Sequence, residues 1–107
     1  MLRTIFLTTA IALSPFASLW AADANHVQII IQDQAFIPAN VSVAKGTVIT
    51  WINRDDHVHS VEDLAGKFSS PELETDGIYS QTVNQVGIVS YQCGVHSQMT
   101  GRIEVKP

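Results

Sequence analysis

Beyond residue 26 the chain contains no stretch with apolar residues at helical spacing; it is a series of short β-branched runs broken by turn residues. Thr47 to Asn53 is the clearest run. Val48, Thr50 and Ile52 fall on one face, and Ile49 and Trp51 on the other, as period-two alternation requires of a strand. Val27 to Gln32 is β-branched and apolar, Val41 to Val43 alternates, and Lys45-Gly46 is a turn. Ile78 to Val83 and Ile88 to Cys93 form a candidate pair joined through Asn84-Gln85-Val86-Gly87, and Arg102 to Val105 is a last strand. Glu62 to Asp76, rich in Ser, Gly, Pro and acid, reads as a long connection. Many short strands at close spacing predict an all-β sandwich or barrel with one core.

The first stretch differs. Met1-Leu2-Arg3 precedes an apolar run, and no further charge appears until Asp23. Small residues at Ala21 and Ala22 complete the pattern of a secretory signal peptide, residues 1–21, ahead of a domain over residues 22–107. Cleavage after Ala21 leaves Leu19 three positions upstream, where cleavage after Ala22 would put bulky Trp20. The alternative is a retained anchor. Ser14-Pro15 and Ser18 interrupt the run, which is short for a hydrocarbon core, so no stable membrane insertion is expected once the leader is gone.

Of 107 residues, ten are Asp or Glu and six Lys or Arg, for a net charge of −4, and the leader removes Arg3 from the basic side. Such a balance offers no basic patch, which excludes a nucleic-acid partner. Exported proteins have reason to pair their cysteines, yet Cys93 stands alone. An unpaired thiol in an oxidising compartment calls for deep burial or a metal.

Cys93, His96 and Met99 follow one another with two residues between each, within Tyr91-Gln92-Cys93-Gly94-Val95-His96-Ser97-Gln98-Met99. Taken singly, the cysteine and methionine would be core residues and the histidine a surface one. As a set, thiolate, imidazole and thioether suit copper: Cu(I) favours soft sulfur and imidazole serves both oxidation states. Zinc seldom takes methionine, and calcium or magnesium would need oxygen ligands. A second imidazole must come from elsewhere, and Trp51-Ile52-Asn53-Arg54-Asp55-Asp56-His57-Val58-His59-Ser60-Val61 supplies two.

With both segments in view, the sequence resembles the cupredoxins, most of all the plastocyanin and amicyanin group. In that family the upstream ligand lies eight residues after the tryptophan of Trp-x-Asn, followed by a small polar and then an apolar residue. Here that position is His59, followed by Ser60 and Val61; His57 does not match. The Cys-x-x-His-x-x-Met spacing is similar to the short loop of amicyanin. Phe36-Ile37-Pro38, Val41-x-Val43, Lys45-Gly46-Thr47 and Met99-Thr100-Gly101 extend the likeness over nearly all of residues 22–107.

The resemblance implies a Greek-key β-sandwich or barrel of the cupredoxin type. It implies one type 1 copper ion held by His59, Cys93, His96 and Met99, with Ser60 and Asn53 supporting the ligands. It implies a monomeric periplasmic electron carrier whose partners dock at His96, with Val95 and Val58 around it. By analogy those partners are redox proteins such as a c-type cytochrome or an amine dehydrogenase. The loop departs from the family in lacking prolines beside its ligands and in carrying Gly94, without a hydroxyl, after the cysteine. His57 and His26 are expected to be exposed, and Asp55 and Asp56 to be turn residues on a solvated face.

An enzyme is not expected. Gln92 and Gly94 flank the cysteine where a second copper centre would require histidine, and a Cys-His nucleophile would need an exposed thiolate and a cleft. The competing reading is copper capture, delivery or resistance, to which Asp55, Asp56, His57 and His26 lend support.

Overall fold

A computed structural model describes residues 25–107; the expected leader lies outside them. Eight strands run β1 (His26–Gln32), β2 (Ala35–Ile37), β3 (Asn40–Ala44), β4 (Thr47–Asn53), β5 (Glu62–Asp63), β6 (Ile78–Val83), β7 (Gly87–Gln92) and β8 (Thr100–Lys106). They form two four-stranded sheets, ordered β2-β1-β4-β6 and β3-β8-β7-β5. Each contains one parallel pair, β1 with β4 and β3 with β8, and is otherwise antiparallel. The all-β sandwich expected from the period-two runs is the observed architecture.

The pairing of Ile78–Val83 with Ile88–Cys93 is corrected. β6 joins β4 in one sheet, while β7 joins β8 in the other, so Asn84 to Val86 cross between layers. A short connection reads alike in sequence whether it turns within a sheet or passes between two. The Glu62–Asp76 connection holds the two-residue strand β5 against Gln92 and Tyr91 of β7.

The core forms where the inward faces meet: Ile29 and Ile31 of β1, Ile49 and Trp51 of β4, Tyr91 of β7, and Ile103 and Val105 of β8. Trp51 and Tyr91 have no exposed surface; truncating such an aromatic to alanine costs about 3–5 kcal/mol. On the outer face of the first sheet, Ile37, Ile30, Ile52 and Ile78 stand opposite one another across all four strands. That row explains why outward-facing Ile52 is nearly buried: its cross-strand neighbours cover it.

β8 must pass close over the core. A Cβ at Gly101 would stand 2.2 Å from Cζ of Tyr91, so only glycine lets the strand lie on that ring. At one end of the sandwich, β4 and β7 finish together. The segments that follow them carry the candidate ligands.

Candidate metal centre

Asn53, the last residue of β4, organises the first segment. Its buried amide donates to the carbonyls of His57 (2.9 Å) and Leu73 (2.8 Å), and its Oδ1 accepts from the N–H of Asp55 (2.9 Å). The loop is thereby folded back on the strand that launched it. His59 then exchanges two backbone hydrogen bonds with Leu73, at 3.1 and 2.7 Å, which pins the histidine inside the sandwich edge. His59 has no exposed surface.

The second segment is closed by its own backbone. The N–H of Cys93 donates to the carbonyl of Met99 (2.9 Å), and that of Met99 to the carbonyl of His96 (3.0 Å). A thiol, an imidazole and a thioether are thus drawn into one tight turn between β7 and β8. Cys93 is fully buried, Met99 is buried and His96 is half-buried.

His59, Cys93 and His96 converge: one donor atom of each lies within 4.8 Å of the others. Nδ1 of His59 is 3.7 Å and Nδ1 of His96 is 3.9 Å from the Cys93 sulfur, and the imidazole rings stand 5.0 Å apart at 52°. Met99 closes the same turn through its backbone and borders, with His96, Ser97, Gln98 and Gln34, a surface hollow beside the cluster.

Ser60 ties the segments together. Its N–H points at the Cys93 sulfur (3.4 Å), and its hydroxyl accepts from the N–H of Gly94 (2.9 Å). The glycine that departs from the family pattern has a local reason: a Cβ there would stand 2.8 Å from the Ser60 hydroxyl.

Asp55 is where the sequence reading is corrected. It is not a turn residue on a solvated face; it is buried, with Oδ2 2.8 Å from Nε2 of His59. The hydrogen bond from His59, joined by the backbone N–H groups of Gln34 and Asp56, holds its carboxyl down to about 2, against a smaller opposing effect of burial. An ionised carboxylate only accepts, so the ring proton sits on Nε2 and Nδ1 offers its lone pair toward Cys93. A carboxylate behind a histidine fixes tautomer and orientation in this way at metal sites. An acid four residues before the ligand histidine was the available signal, but Asp is so common in turns that sequence alone did not single it out.

Other positions fall as expected. Asp56 and His57 are exposed. His26 is exposed and hydrogen-bonds Thr50 Oγ1 at 2.6 Å, far from the cluster along β4. Val95 is 46% exposed beside half-buried His96, and Val58 is half-buried on the other segment.

Two imidazole nitrogens and a thiol sulfur, with a thioether residue on the same turn, fit copper better than any hard cation. Comparison with known proteins agrees. Residues 3–105 match the cupredoxin-like domain family. The chain is 31% identical to amicyanin of Paracoccus denitrificans over 98 residues, covering 87% of this chain and 74% of that protein. It is 27% identical to amicyanin of Paracoccus versutus over 93 residues, covering 80% and 70%. Among solved structures it is similar to a purple cupredoxin from Nitrosopumilus maritimus, with a TM-score of 0.69 and 28% identity over 75% of this chain and 99% of that one. A methionine-to-alanine mutant of amicyanin in its Cu(I) form superposes with a TM-score of 0.72 at 26% identity, over 77% of this chain and 83% of that one. Sheet order, ligand segments and relatives all lead to one assignment: the chain belongs to the cupredoxin-like domain family.

Proposed function

We propose that this protein is an exported one-electron carrier that binds a single copper ion through His59, Cys93, His96 and Met99. The observation that carries the reading is the convergence of two imidazole Nδ1 atoms on one buried sulfur. When bound, copper would supply a Cu(II)/Cu(I) couple, and imidazole nitrogens with soft sulfur donors would suit both of its oxidation states.

The chain's own residues perform the supporting work. Asp55 holds His59 in the tautomer that offers Nδ1, Ser60 fixes the spacing of the ligand segments, and Asn53 anchors the first of them to β4. Ligands held on strand ends by such contacts need little rearrangement when charge changes. Half-buried His96, with Val95 and Val58 around it, is the proposed docking face for a redox protein, by analogy a c-type cytochrome or an amine dehydrogenase. The carrier reading leaves no need for an enzymatic substrate site.

Copper delivery remains the rival, and the position of Asp55 weakens it. That carboxylate is already committed to His59 and is not free to capture a second ion. Residues 1–21 are proposed as the leader that sends the protein to the periplasm, with residues 22–107 as the mature domain; among the described residues no helix is long and apolar enough to cross a membrane.

Cyclic voltammetry of the copper-loaded protein tests the proposal. A reversible couple without metal loss, and rapid reduction by a redox protein, are expected. Surrender of the ion to an acceptor on mixing would favour delivery instead. Mass spectrometry of exported protein reads the leader boundary directly.

A further inference from the structure

Behind the ligand cluster lies a chain of aromatic rings that the proposed function does not use. Tyr91 and Trp51 meet edge to face at 5.3 Å, and Trp51 and Tyr79 lie 5.8 Å apart at 31°. Phe36 covers the Tyr91 end at 4.7 Å, and Phe68 lies 6.0 Å from Trp51 and 6.4 Å from Tyr79. Tyr91 precedes Cys93 by two residues, and both are fully buried, so they share the inward face of one extended segment. The series runs from the sulfur through the middle of the sandwich to β6, an edge strand.

Tyrosine and tryptophan give up one electron more readily than phenylalanine, and their losses differ in where the proton can go. Among the described residues, Trp51 Nε1 and the Tyr91 hydroxyl are the buried side-chain polar atoms without a hydrogen-bond partner. Neither makes a hydrogen bond that would lead its proton out to water, so an electron vacancy can cross these rings but not settle there by losing a proton to solvent. Tyr79 is different. It is half-buried, and its hydroxyl donates to Gln81 Oε1 at 2.9 Å, where water can take the proton onward.

We propose that Tyr91, Trp51 and Tyr79 form a relay that carries oxidising equivalents between the protein surface at Tyr79 and the Cys93 side of the metal centre. A one-electron oxidant stronger than the tyrosyl/tyrosine couple removes an electron from Tyr79, and the hydroxyl proton leaves to water. With copper bound as Cu(I), the metal would supply the electron that Cys93, Tyr91 and Trp51 pass on to the Tyr79 radical. Tyr79 regains a proton from water, and the centre ends as Cu(II). One electron and one proton are lost and regained at Tyr79, and the net change is oxidation of the metal by the external oxidant. The quenching step rests on the copper reading; the Trp51–Tyr79 step does not. Phe36 and Phe68 border the relay without joining it.

The test is flash oxidation with photogenerated tris(bipyridine)ruthenium(III), following indole and tyrosyl radical absorption. The chain has only Tyr79 and Tyr91 as tyrosines. In metal-free protein the oxidation should end as a tyrosyl radical, and in Tyr79→Phe as an indole radical cation with the tyrosyl signal lost. In Cu(I)-loaded protein the tyrosyl radical should decay at least an order of magnitude faster than in metal-free protein, with the thiolate–Cu(II) colour rising in step; Trp51→Phe should abolish that acceleration. An undiminished tyrosyl signal in Tyr79→Phe, or equal radical lifetimes with and without Cu(I), overturns the relay. Tyr79→Phe keeps the ring, so the test survives if Trp51→Phe does not fold. A chain that takes up no copper overturns the proposed function and the quenching step together, while the metal-free comparison still decides the transfer from Trp51 to Tyr79.

Discussion

Oδ2 of Asp55 stands 2.8 Å from Nε2 of His59, while Nδ1 of the same ring is the nitrogen turned toward Cys93. One side of the imidazole is thus committed to a carboxylate and the other left to a metal. Replacing Asp55 by Asn keeps the shape and removes the charge. Copper affinity should fall about 10–100-fold, the usual cost of losing a carboxylate behind a ligand histidine. Chelator competition measures it, and an unchanged affinity would mean the contact is incidental.

The same pair sets an acid limit. The Asp55 carboxyl titrates near 2 in the fold against an ordinary 3.8, so the folded state holds the anion more strongly than the unfolded chain does. Its contribution to stability is complete above the ordinary carboxylate range and disappears as pH falls through the folded value. Metal-free protein should therefore lose stability between about pH 4 and 2 with a component missing in Asp55→Asn. Carboxyl NMR titration reads the group itself; a midpoint at the ordinary value would refute the assignment.

Ligand substitutions separate the four roles. Cys93→Ser should abolish the intense blue of a copper–thiolate bond, and retained colour would refute that ligand. Met99→Leu should keep copper and shift the potential, because a weakly held thioether would tune the couple more than it holds the ion. His57→Ala should leave the colour untouched, since this exposed side chain lies beside Asp56 and is not among the clustered donors His59, Cys93 and His96. Bleaching would make His57 the upstream ligand in place of His59.

Asn53→Ala strips the His57 carbonyl and the Asp55 N–H of their partner, and removes one of two donors to the Leu73 carbonyl. With about 1–3 kcal/mol for each of the two groups left unpaired, the expected loss is about 2–6 kcal/mol. Urea unfolding of metal-free protein checks the figure. A loss indistinguishable from zero would show that water replaces the amide.

Gly101→Ala drives a methyl group into the Tyr91 ring, 2.2 Å from Cζ. Destabilisation of about 3 kcal/mol is expected from overpacking of this kind. Adding Tyr91→Phe should not rescue it, because the clash is with the ring carbon as well as the hydroxyl. Burial pushes the Tyr91 hydroxyl up to about 12, and the neighbouring Trp51 indole offsets this only in part without reaching hydrogen-bond geometry. Rescue by the double change would locate the strain at the oxygen alone.

Much of this was legible in the chain because strands and ligand spacing are local. Thr47 to Asn53 declares its two faces by alternation, and Cys93, His96 and Met99 lie within one turn. What escaped was non-local. Nothing between Val83 and Gly87 says whether the connection stays in a sheet or crosses to the other, since that depends on β4 and β8 claiming β6 and β7 separately. Strand β2 follows Asp33 and Gln34, both at positive φ, a turn of non-glycine residues that the sequence does not advertise. Asp55 was read by its type, and its burial depends on Gln34 and His59 arriving from either side.

The parallel pairing of β8 with β3, Asn40 opposite Arg102 through Ala44 opposite Lys106, bears on biosynthesis. The turn that holds Cys93, His96 and Met99 is suspended between β7 and β8, and β8 lies between β7 and β3, a strand made some sixty residues earlier. A nascent polypeptide that has reached Cys93 has neither the closing bond from Met99 nor a docked β8 to brace it. The ligand turn therefore takes its braced form only once β8 has been made and laid between its two neighbours.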